Sequence, residues 1–323
     1  MGFLMLDNIA HINDDIHQKH KATEIYENDV LLNITGASIG RTAVATKELE
    51  GGNVNQHVCI IRTNSKVNPK FLCDYIQTQR IQNHIKSLQT GGSREGLNFE
   101  QIRSFPISLP SINEQNKLTC LLDKINERIA TQVRLIDRLQ SLMKGIRHRI
   151  INEAKGKIVC LCEVSDIYQP QTISSADLTE TGYPVYGANG IIGHYTSYNH
   201  EAEQVCITCR GNTCGGVNYT KSKSWITGNA MVVNVDRYQN IVSKRYLYHY
   251  LSNCDFNSII SGSGQPQIVR APLAKFKIIL PTVMQQYKIA HCLDVIQNKI
   301  NVNSNILNLL IRQKQYLLRK MFI

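Results

Sequence analysis

Several familiar sequence signals are missing from this chain. The opening residues Met1-Gly2-Phe3-Leu4-Met5-Leu6 carry no basic stretch and no sustained apolar run, and Leu6 stands where a myristoylation signal needs Ser or Thr. No apolar run approaches the roughly 20 residues of a membrane span. Ten cysteines without an export signal read as reduced thiols, so a cytoplasmic protein is expected. A glycine-rich methyl-donor motif, an Asn/Asp-Pro-Pro-aromatic motif and helicase motifs are all missing, which argues against a methyltransferase or a translocase. The acids do not cluster as a nuclease centre would need. Gly36 to Thr42 superficially resembles a phosphate-binding loop, but it is one residue short and has Arg41 in place of the lysine. Cys206, Cys209 and Cys214, with Cys160 and Cys162 upstream, have a zinc-like look. In a strand, however, positions i and i+3 face opposite sides, so Cys206 and Cys209 could share an ion only if a knuckle turn replaced the strand. With the missing motifs, the expectation is no metal, cofactor or catalytic residue in this chain.

What is present is a folded composition of 323 residues, 42% apolar and 19% charged, long enough for two domains. The net charge is +11 and its placement is uneven. Residues 111–150 hold eight Lys or Arg against four acids and residues 282–323 hold six against one, so these two stretches carry +9. That balance favours a polyanionic partner along them, or a solvated helix face.

Both stretches are heptad seams. Leu118, Leu122, Ile125, Ile129, Gln132, Ile136, Leu139, Met143, Ile146 and Ile150 alternate spacings of four and three. At an offset of 171, Ile289, Leu293, Ile296, Ile300, Asn303, Leu307, Leu310, Lys314, Leu317 and Met321 repeat the pattern, with an amide on the same rung. From Leu118 to Ile150 the seam extends over about 50 Å of helix. The spacing predicts two long helices that pair; parallel and antiparallel overlaps would both bring Gln132 and Asn303 close.

The rest of the chain repeats as well. Asp29–Ile34, a glycine turn over Thr35–Gly40 and Arg41–Ala45 predict a hairpin. Gln204–Gly216 matches it at an offset of 175, setting Gly211 on Gly36 and Gly215 on Gly40. Asn55–Arg62 predicts another strand and Pro69–Leu88 a helix; Asn229–Val235 and Tyr246-Leu247 answer them. The loop Ser261–Gln267 stands for Thr90–Gly96. Phe105–Pro110 and Phe276–Pro281 predict short strands leading into the long helices, the first capped by Ser111 and Glu114. The order is domain plus long helix, written twice. The two copies differ at one point: Lys157–Ser175, with an expected opening strand at Leu161–Ile167, has no partner in the first copy, so the first domain is expected to begin late.

Four features together resemble the specificity subunits of type I restriction–modification systems. They are the run Tyr183–Gly193, the hairpin Asp29–Gly40, the Gly-Ser loops at 91–98 and 261–267, and Leu109-Pro110-Ser111-Ile112-Asn113-Glu114-Gln115 opening the long helix. Met284-Gln285-Gln286 departs from the family's Glu-Gln. The resemblance implies an α+β fold: two similar α/β target-recognition domains separated by two long helices that form an antiparallel coiled coil. The boundaries are 1–109 for a shortened first domain, 110–154 for the first helix, 155–280 for the second domain and 281–323 for the second helix.

The resemblance further implies a non-catalytic subunit that reads half of a bipartite site in double-stranded DNA with each domain. Its implied partners are two modification subunits using S-adenosylmethionine and restriction subunits using ATP and magnesium. Amide, guanidinium and lysine groups in loops are then the candidate contacts. In the second domain these are Asn189, His194, Arg210, Lys221, Lys223, Gln265, Gln267 and Arg270, with Tyr186 and Tyr195 as contact aromatics. In the first they are Arg41, Ser93, Arg94 and Asn98. The competing readings are a coiled-coil scaffold whose loops bind protein, and a nuclease or metal-dependent domain pair.

Overall fold

A computed structural model describes residues 9–89, 96–188, 190–262 and 264–322. It divides into two units, Met1–Arg134 with Ser304–Ile323, and Leu135–Asn303.

Unit one opens with α1 (Asp14–Lys19), whose first turn is capped by the Asn13 side chain. Strands β1 (Val30–Asn33), β2 (Thr42–Val44) and β3 (Val58–Ile61) form an antiparallel sheet in the order β2-β1-β3. The region expected as one helix is two, α2 (Pro69–Ile76) and α3 (Gln79–Gln89). They break at Thr78, whose hydroxyl donates back to the Tyr75 carbonyl at 2.7 Å, a bond that competes with helix continuation. After α4 (Phe99–Arg103) comes α5 (Ile112–Glu153), a helix of 42 residues that leaves unit one and ends in unit two.

Unit two contains β4 (Lys157–Cys160), the helical turn α6 (Leu161–Val164), β5 (Asp166–Tyr168), β6 (Tyr183–Gly187), β7 (Gly190–Tyr195), β8 (Val205–Thr208), β9 (Val217–Tyr219), β10 (Trp225–Ile226) and β11 (Ala230–Asn234). Then follow α7 (Lys244–Leu251), α8 (Arg270–Ala274), β12 (Lys277–Leu280) and α9 (Val283–Met321), which returns to unit one. Three sheets result, β5-β11-β8-β9, β10-β6-β7 and β12-β4. Leu161–Ile167, expected as one strand, is a helical turn followed by a strand.

The duplication is visible in the registers. β1 and β8 are equivalent central strands: Val30 faces Ile61 as Val205 faces Val233. Among the described residues unit one has no equivalent of β4, β5, β6, β7, β10 or β12. Phe105–Pro110, expected as a strand, is not one: its counterpart β12 is a strand by pairing with β4, and among the described residues no such neighbour stands beside 105–110.

The two long helices run antiparallel. In unit one, Leu118 and Leu122 of α5 share a core with Leu317 and Phe322 of α9, while further along Ile125 and Ile129 pack with Leu310 and Leu307. Between them Lys314 donates to the Asn126 side chain at 2.7 Å. In unit two, Ile151 near the end of α5 shares a core with Ile289 and Ala290 at the start of α9, the same sense. Leu122, Ile125, Ile129, Ile136 and Met143 are buried, as are Leu293, Ile300, Asn303 and Leu310. Leu118, Gln132, Leu139, Ile289, Ile296 and Leu307 are half-buried. At the end of α5 the buried residue is Ile151 and not Ile150, and at the start of α9 Ala290 is more buried than Ile289. A helix of 3.6 residues per turn drifts by about 20° per heptad against a seven-residue repeat, which moves the stripe by one position.

Each helix is fastened to its unit in the same way. Ser111 donates its N–H and hydroxyl to Glu114 at 3.0 and 2.7 Å, and Thr282 does so to Gln285 at 3.1 and 2.9 Å. One residue on, Gln115 and Gln286 are fully buried. Gln115 accepts from the Asn68 N–H and donates to the Lys66 and Pro110 carbonyls; Gln286 accepts from the Ser243 N–H and donates to those of Ile241 and Pro281. Asn68 and Ser243 are the N-caps of α2 and α7, so one side chain ties two helix starts together in each unit.

Candidate nucleic-acid interface

In unit two, β8 is buried along its whole length, and the chain leaves the core between Cys209, buried, and Arg210, exposed. Gly211 and Gly215, at φ +84° and +89°, then turn it back, in a conformation that other residues avoid. The Thr208 carbonyl accepts from the Gly215 N–H at 2.9 Å, and the Gly216 carbonyl from the Thr208 N–H at 2.7 Å. A second segment lies alongside: Gly211 N–H donates to the Pro266 carbonyl at 3.0 Å, Ile268 N–H to the Cys209 carbonyl at 3.0 Å, and Arg210 and Gln267 form a bridge. Gln267 and Ser261 exchange both backbone bonds, closing the 261–267 loop. The turn after β6 joins this group, because the Thr208 hydroxyl donates to the Ala188 carbonyl. Arg210, Gln265 and Gln267 are thus exposed on adjoining loops, and Arg270 opens α8 three residues beyond Gln267.

The other candidates sit at the opposite end of the same hairpin. β6 pairs with β7 so that Tyr183 faces Tyr195, and β10 runs parallel to β6 with Trp225 beside Val185. His194 and Tyr195 end β7 and Lys221 and Lys223 precede β10, so these four share one end of the β10-β6-β7 sheet. The Gly187–Gly190 turn with Ala188 is at the other. The length of β7, six residues, separates the two groups by roughly 17 Å. Tyr195 is half-buried edge-on against Trp225, with ring centroids 5.2 Å apart. Lys223 adopts φ +49° and its ammonium lies 3.7 Å from Glu201; both are exposed, so the pair adds little stability.

Tyr186 requires correction as a contact aromatic. It is buried in a cluster with Cys206, Ile226, Ala230 and Val232, leaving no ring face to stack on a base. Its hydroxyl accepts from the Lys221 N–H at 3.1 Å, so it positions the lysine loop from beneath. Burial pushes its phenol above the usual range. Cys206 lies in that cluster, whereas Cys209 lies in the main core with Cys214 packed against it, so the two thiols face different sides of the sheet.

Unit one repeats the loop group with other side chains. Thr35 bridges to Gly96 where Arg210 bridges to Gln267, Leu97 N–H donates to the Ile34 carbonyl at 2.8 Å, and the Thr35 hydroxyl lies 2.6 Å from His57 Nδ1. Gly36 and Gly40 supply the left-handed turn at φ +70° and +82°. Arg41 is exposed. Asn98 serves its own chain: its side chain accepts from the Gln101 N–H at 2.8 Å and caps α4. Ser93, Arg94 and Asn189 lie outside the described residues. His57, exposed beside Thr35, went unnoticed in the sequence because nothing in its neighbourhood forms a motif.

The model of the type I restriction modification DNA specificity domain matches residues 6–141 and again 154–312. The chain belongs to that family. Two specificity domains therefore occupy nearly its whole length. The type I restriction enzyme EcoprrI specificity subunit of Escherichia coli is 26% identical over 291 residues, covering 83% of this chain and 71% of that protein. A putative type I specificity subunit of Haemophilus influenzae is 30% identical over 142 residues, 41% of this chain and 36% of that protein. Among solved structures, the S subunit of a type I restriction–modification system from M. genitalium aligns with a TM-score of 0.66 at 17% identity, over 93% of this chain and 84% of that one. A chain from a study of complex assembly and conformational transition of the type I system aligns at 0.58, with 20% identity, over 93% and 82%. Both carry the same fold. Among the described residues no helix is long and apolar enough to cross a membrane.

Two polar clusters flank the helix junctions of the specificity domains. In unit two, Asp294 of α9 receives Arg245 through two nitrogens and lies 2.8 Å from His249 Nε2. Burial would raise the Asp294 carboxyl, but its hydrogen bonds to Arg245 and His249 hold it below its ordinary value. His249 is fully buried, and burial lowers it to about 4 against the pull of Asp294, with Arg147 and Arg245 opposing its charge further. The equivalent of His249 in unit one is Asp74, raised by burial to about 6 despite Lys314, with Asp123 adding to the rise. Lys314 is buried and lowered by burial.

Proposed function

We propose that this chain is the DNA-reading subunit of a cytoplasmic type I restriction–modification complex and performs no catalysis itself. Residues 1–109 and 155–280 each read one half of a bipartite duplex site, and residues 110–154 and 281–323 form the spacer between them. The observation that carries this reading is the duplicated loop group at the exit of β1 and of β8, carried on two units that are each fastened to a long helix by a buried glutamine. An exposed guanidinium beside exposed amides matches the paired donors and acceptors that guanine and adenine show in the major groove. Arg210, Gln265, Gln267 and Arg270 would read bases, and Asn189 is a further candidate. Lys221, Lys223, His194 and Tyr195 would hold the backbone about 17 Å away. In unit one the candidates for the corresponding role are Arg41, Ser93, Arg94 and Asn98.

A helix of 42 residues is about 63 Å long at ~1.5 Å per residue, and successive major-groove faces of a duplex recur at about 34–36 Å. Helices of that length would suit a spacer role, and the gap between half-sites recovered by selection is the measure of it. The same helices offer the docking surface for two modification subunits, which would bring S-adenosylmethionine, and restriction subunits would bring ATP and magnesium. Selection from random-sequence duplexes, with and without a modification subunit, tests the proposal. Enrichment of a two-part motif with a fixed gap is expected; no enrichment in either condition would leave a protein-binding scaffold as the better account.

A further inference from the structure

We infer that one turn in each unit carries a further base-selecting residue: His57 in unit one, donating to the N7 of a purine, and Asn229 in unit two, making a paired contact with adenine. This assignment rests on the proposed reading of the loops at the exits of β1 and β8 as DNA-contacting, and it adds to them two groups that no motif singles out.

The two turns match bond for bond. Register sets Asn33 opposite Val58 and Thr208 opposite Ala230, so His57 and Asn229 hold the same position, the last residue before β3 and before β11. Val58 N–H donates to the Asn55 carbonyl at 3.1 Å, and Ala230 N–H to that of Thr227 at 3.0 Å. The His57 carbonyl accepts from the Ile34 N–H at 2.9 Å, and the Asn229 carbonyl from the Cys209 N–H at 3.0 Å. Ile34 and Cys209 each precede the residue that bridges to the neighbouring loop, Thr35 and Arg210. In both units this position therefore stands beside the loop group, with its carbonyl held by the chain leaving the central strand and the residue itself exposed.

Both turns are also fixed, as choosing between bases requires. In unit one the Asn55 side chain accepts from the His57 N–H at 3.0 Å. In unit two the Gly228 carbonyl accepts from the Gln169 side chain and from the buried Cys209 thiol.

The side chains differ in what they offer. His57 Nδ1 lies 2.6 Å from the Thr35 hydroxyl, so Thr35, in the place of Arg210, is a positioning residue that orients the ring. With that hydroxyl as donor, the ring proton sits on Nε2, the nitrogen left to meet a base. A single donor suits N7, an acceptor that guanine and adenine both present in the major groove, so position 57 selects purine over pyrimidine. Asn229 has a donor and an acceptor on one amide, which match N7 and the amino group of adenine.

The test is selection from random-sequence duplexes by the full chain, with a modification subunit if the wild-type chain requires one to enrich a motif. His57→Ala should free one purine position in one half-site and leave the others unchanged. Thr35→Val, which keeps the shape and removes the bond, should weaken choice at that same position. His57→Asn should narrow it from either purine to adenine, a gain that misfolding cannot produce. Asn229→Ala should free one adenine position in the other half. On a single preferred duplex, replacing the selected purine by its 7-deaza analogue should weaken the wild-type chain roughly fivefold and the His57→Ala chain not at all. The assignment is overturned if either alanine variant leaves every position of the selected motif unchanged, or if the 7-deaza duplex binds the wild-type chain as well as the parent duplex does. Failure of the wild-type chain to enrich any motif would be a different result, removing the DNA reading and this assignment with it.

Discussion

The buried glutamines make a demanding prediction. Replacing Gln286 by Met keeps a long, flexible side chain in a site with no exposure, but removes one acceptor and two donors. The Ser243 N–H and the Pro281 carbonyl are then left buried without these partners, and the part-buried Ile241 carbonyl loses its bond as well. At a net ~1 kcal/mol for each lost bond, with up to ~1–3 kcal/mol for a group left buried and unpaired, the substitution should cost at least about 3 kcal/mol. Against the ~5–15 kcal/mol of a whole domain, that is a large share. Gln115→Met should cost less in unit one, where all three bonds are only part-buried, and because the two sites share no partner, the double variant should equal the sum of the singles to within about 0.5 kcal/mol.

Urea denaturation gives the totals, and amide exchange at Ser243 and Asn68 gives the local readout. Gln286→Glu separates hydrogen bonding from packing, since a carboxylate could still accept from Ser243 but would face two carbonyl oxygens. It should be worse than Met above the pH at which it ionises. A loss under 1 kcal/mol for either Met variant, or unchanged exchange at Ser243, would show that the amide only fills space.

Three further outcomes are expected. Asp74, at about 6 in the folded chain, holds a proton between roughly pH 4 and 6 that the unfolded chain has lost, so unit one should lose stability as pH rises through that window. His249, at about 4, lacks a proton that the unfolded chain holds below about 6.5, so unit two should gain stability over nearly the same window. A tenfold change in proton affinity is worth ~1.4 kcal/mol, so each effect approaches ~3 kcal/mol, and Asp74→Asn and His249→Gln should flatten the respective curves under calorimetry. Lys221→Ala with Lys223→Ala should weaken binding to all duplexes alike and lower the salt slope by about 2, read by fluorescence anisotropy at several salt concentrations; an unchanged slope would take both off the interface. Arg210→Ala should instead cost about 1–3 kcal/mol on the preferred duplex only, with relaxed choice at one base, measured by competition.

The sequence carried the architecture because its strongest signals are periodic. A heptad spacing and an offset repeat survive any local ambiguity, so the paired helices, the glycine hairpins and the two-domain order could all be read. What could not be read depends on partners distant in sequence. Phe105–Pro110 has the composition of β12, but a strand exists only where a neighbour supplies hydrogen bonds, and among the described residues none does. Tyr186 read as a contact aromatic in a glycine-rich run; residues of β8, β10 and β11, distant in sequence, enclose it. Gln115 and Gln286 appeared as part of a family motif, and the three backbone groups each one satisfies lie up to 49 residues away. The separation of Arg210 from Lys221 by a strand's length was equally hidden, since both read simply as polar loop residues.

The pattern of what the two units share bears on what they would read. The left-handed turns at Gly36 and Gly211 and at Gly40 and Gly215 are kept, as are the glutamine fastenings, so the scaffold that positions the loops is the same. The side chains on that scaffold are not: Thr35 stands for Arg210, Gly96 for Gln267, and His57 approaches the first of these. A long guanidinium reaches base edges that a threonine hydroxyl cannot, and a glycine offers no side chain at all. Identical half-sites would demand identical contact groups on the two copies, and duplication would have supplied them without further change. The two halves of the bound site should therefore differ in sequence, with the half read by unit two the more discriminating against substitution. Aligning duplexes recovered by selection decides the matter: an asymmetric motif is expected, and a palindrome would mean that Arg210 and Gln267 do not touch bases.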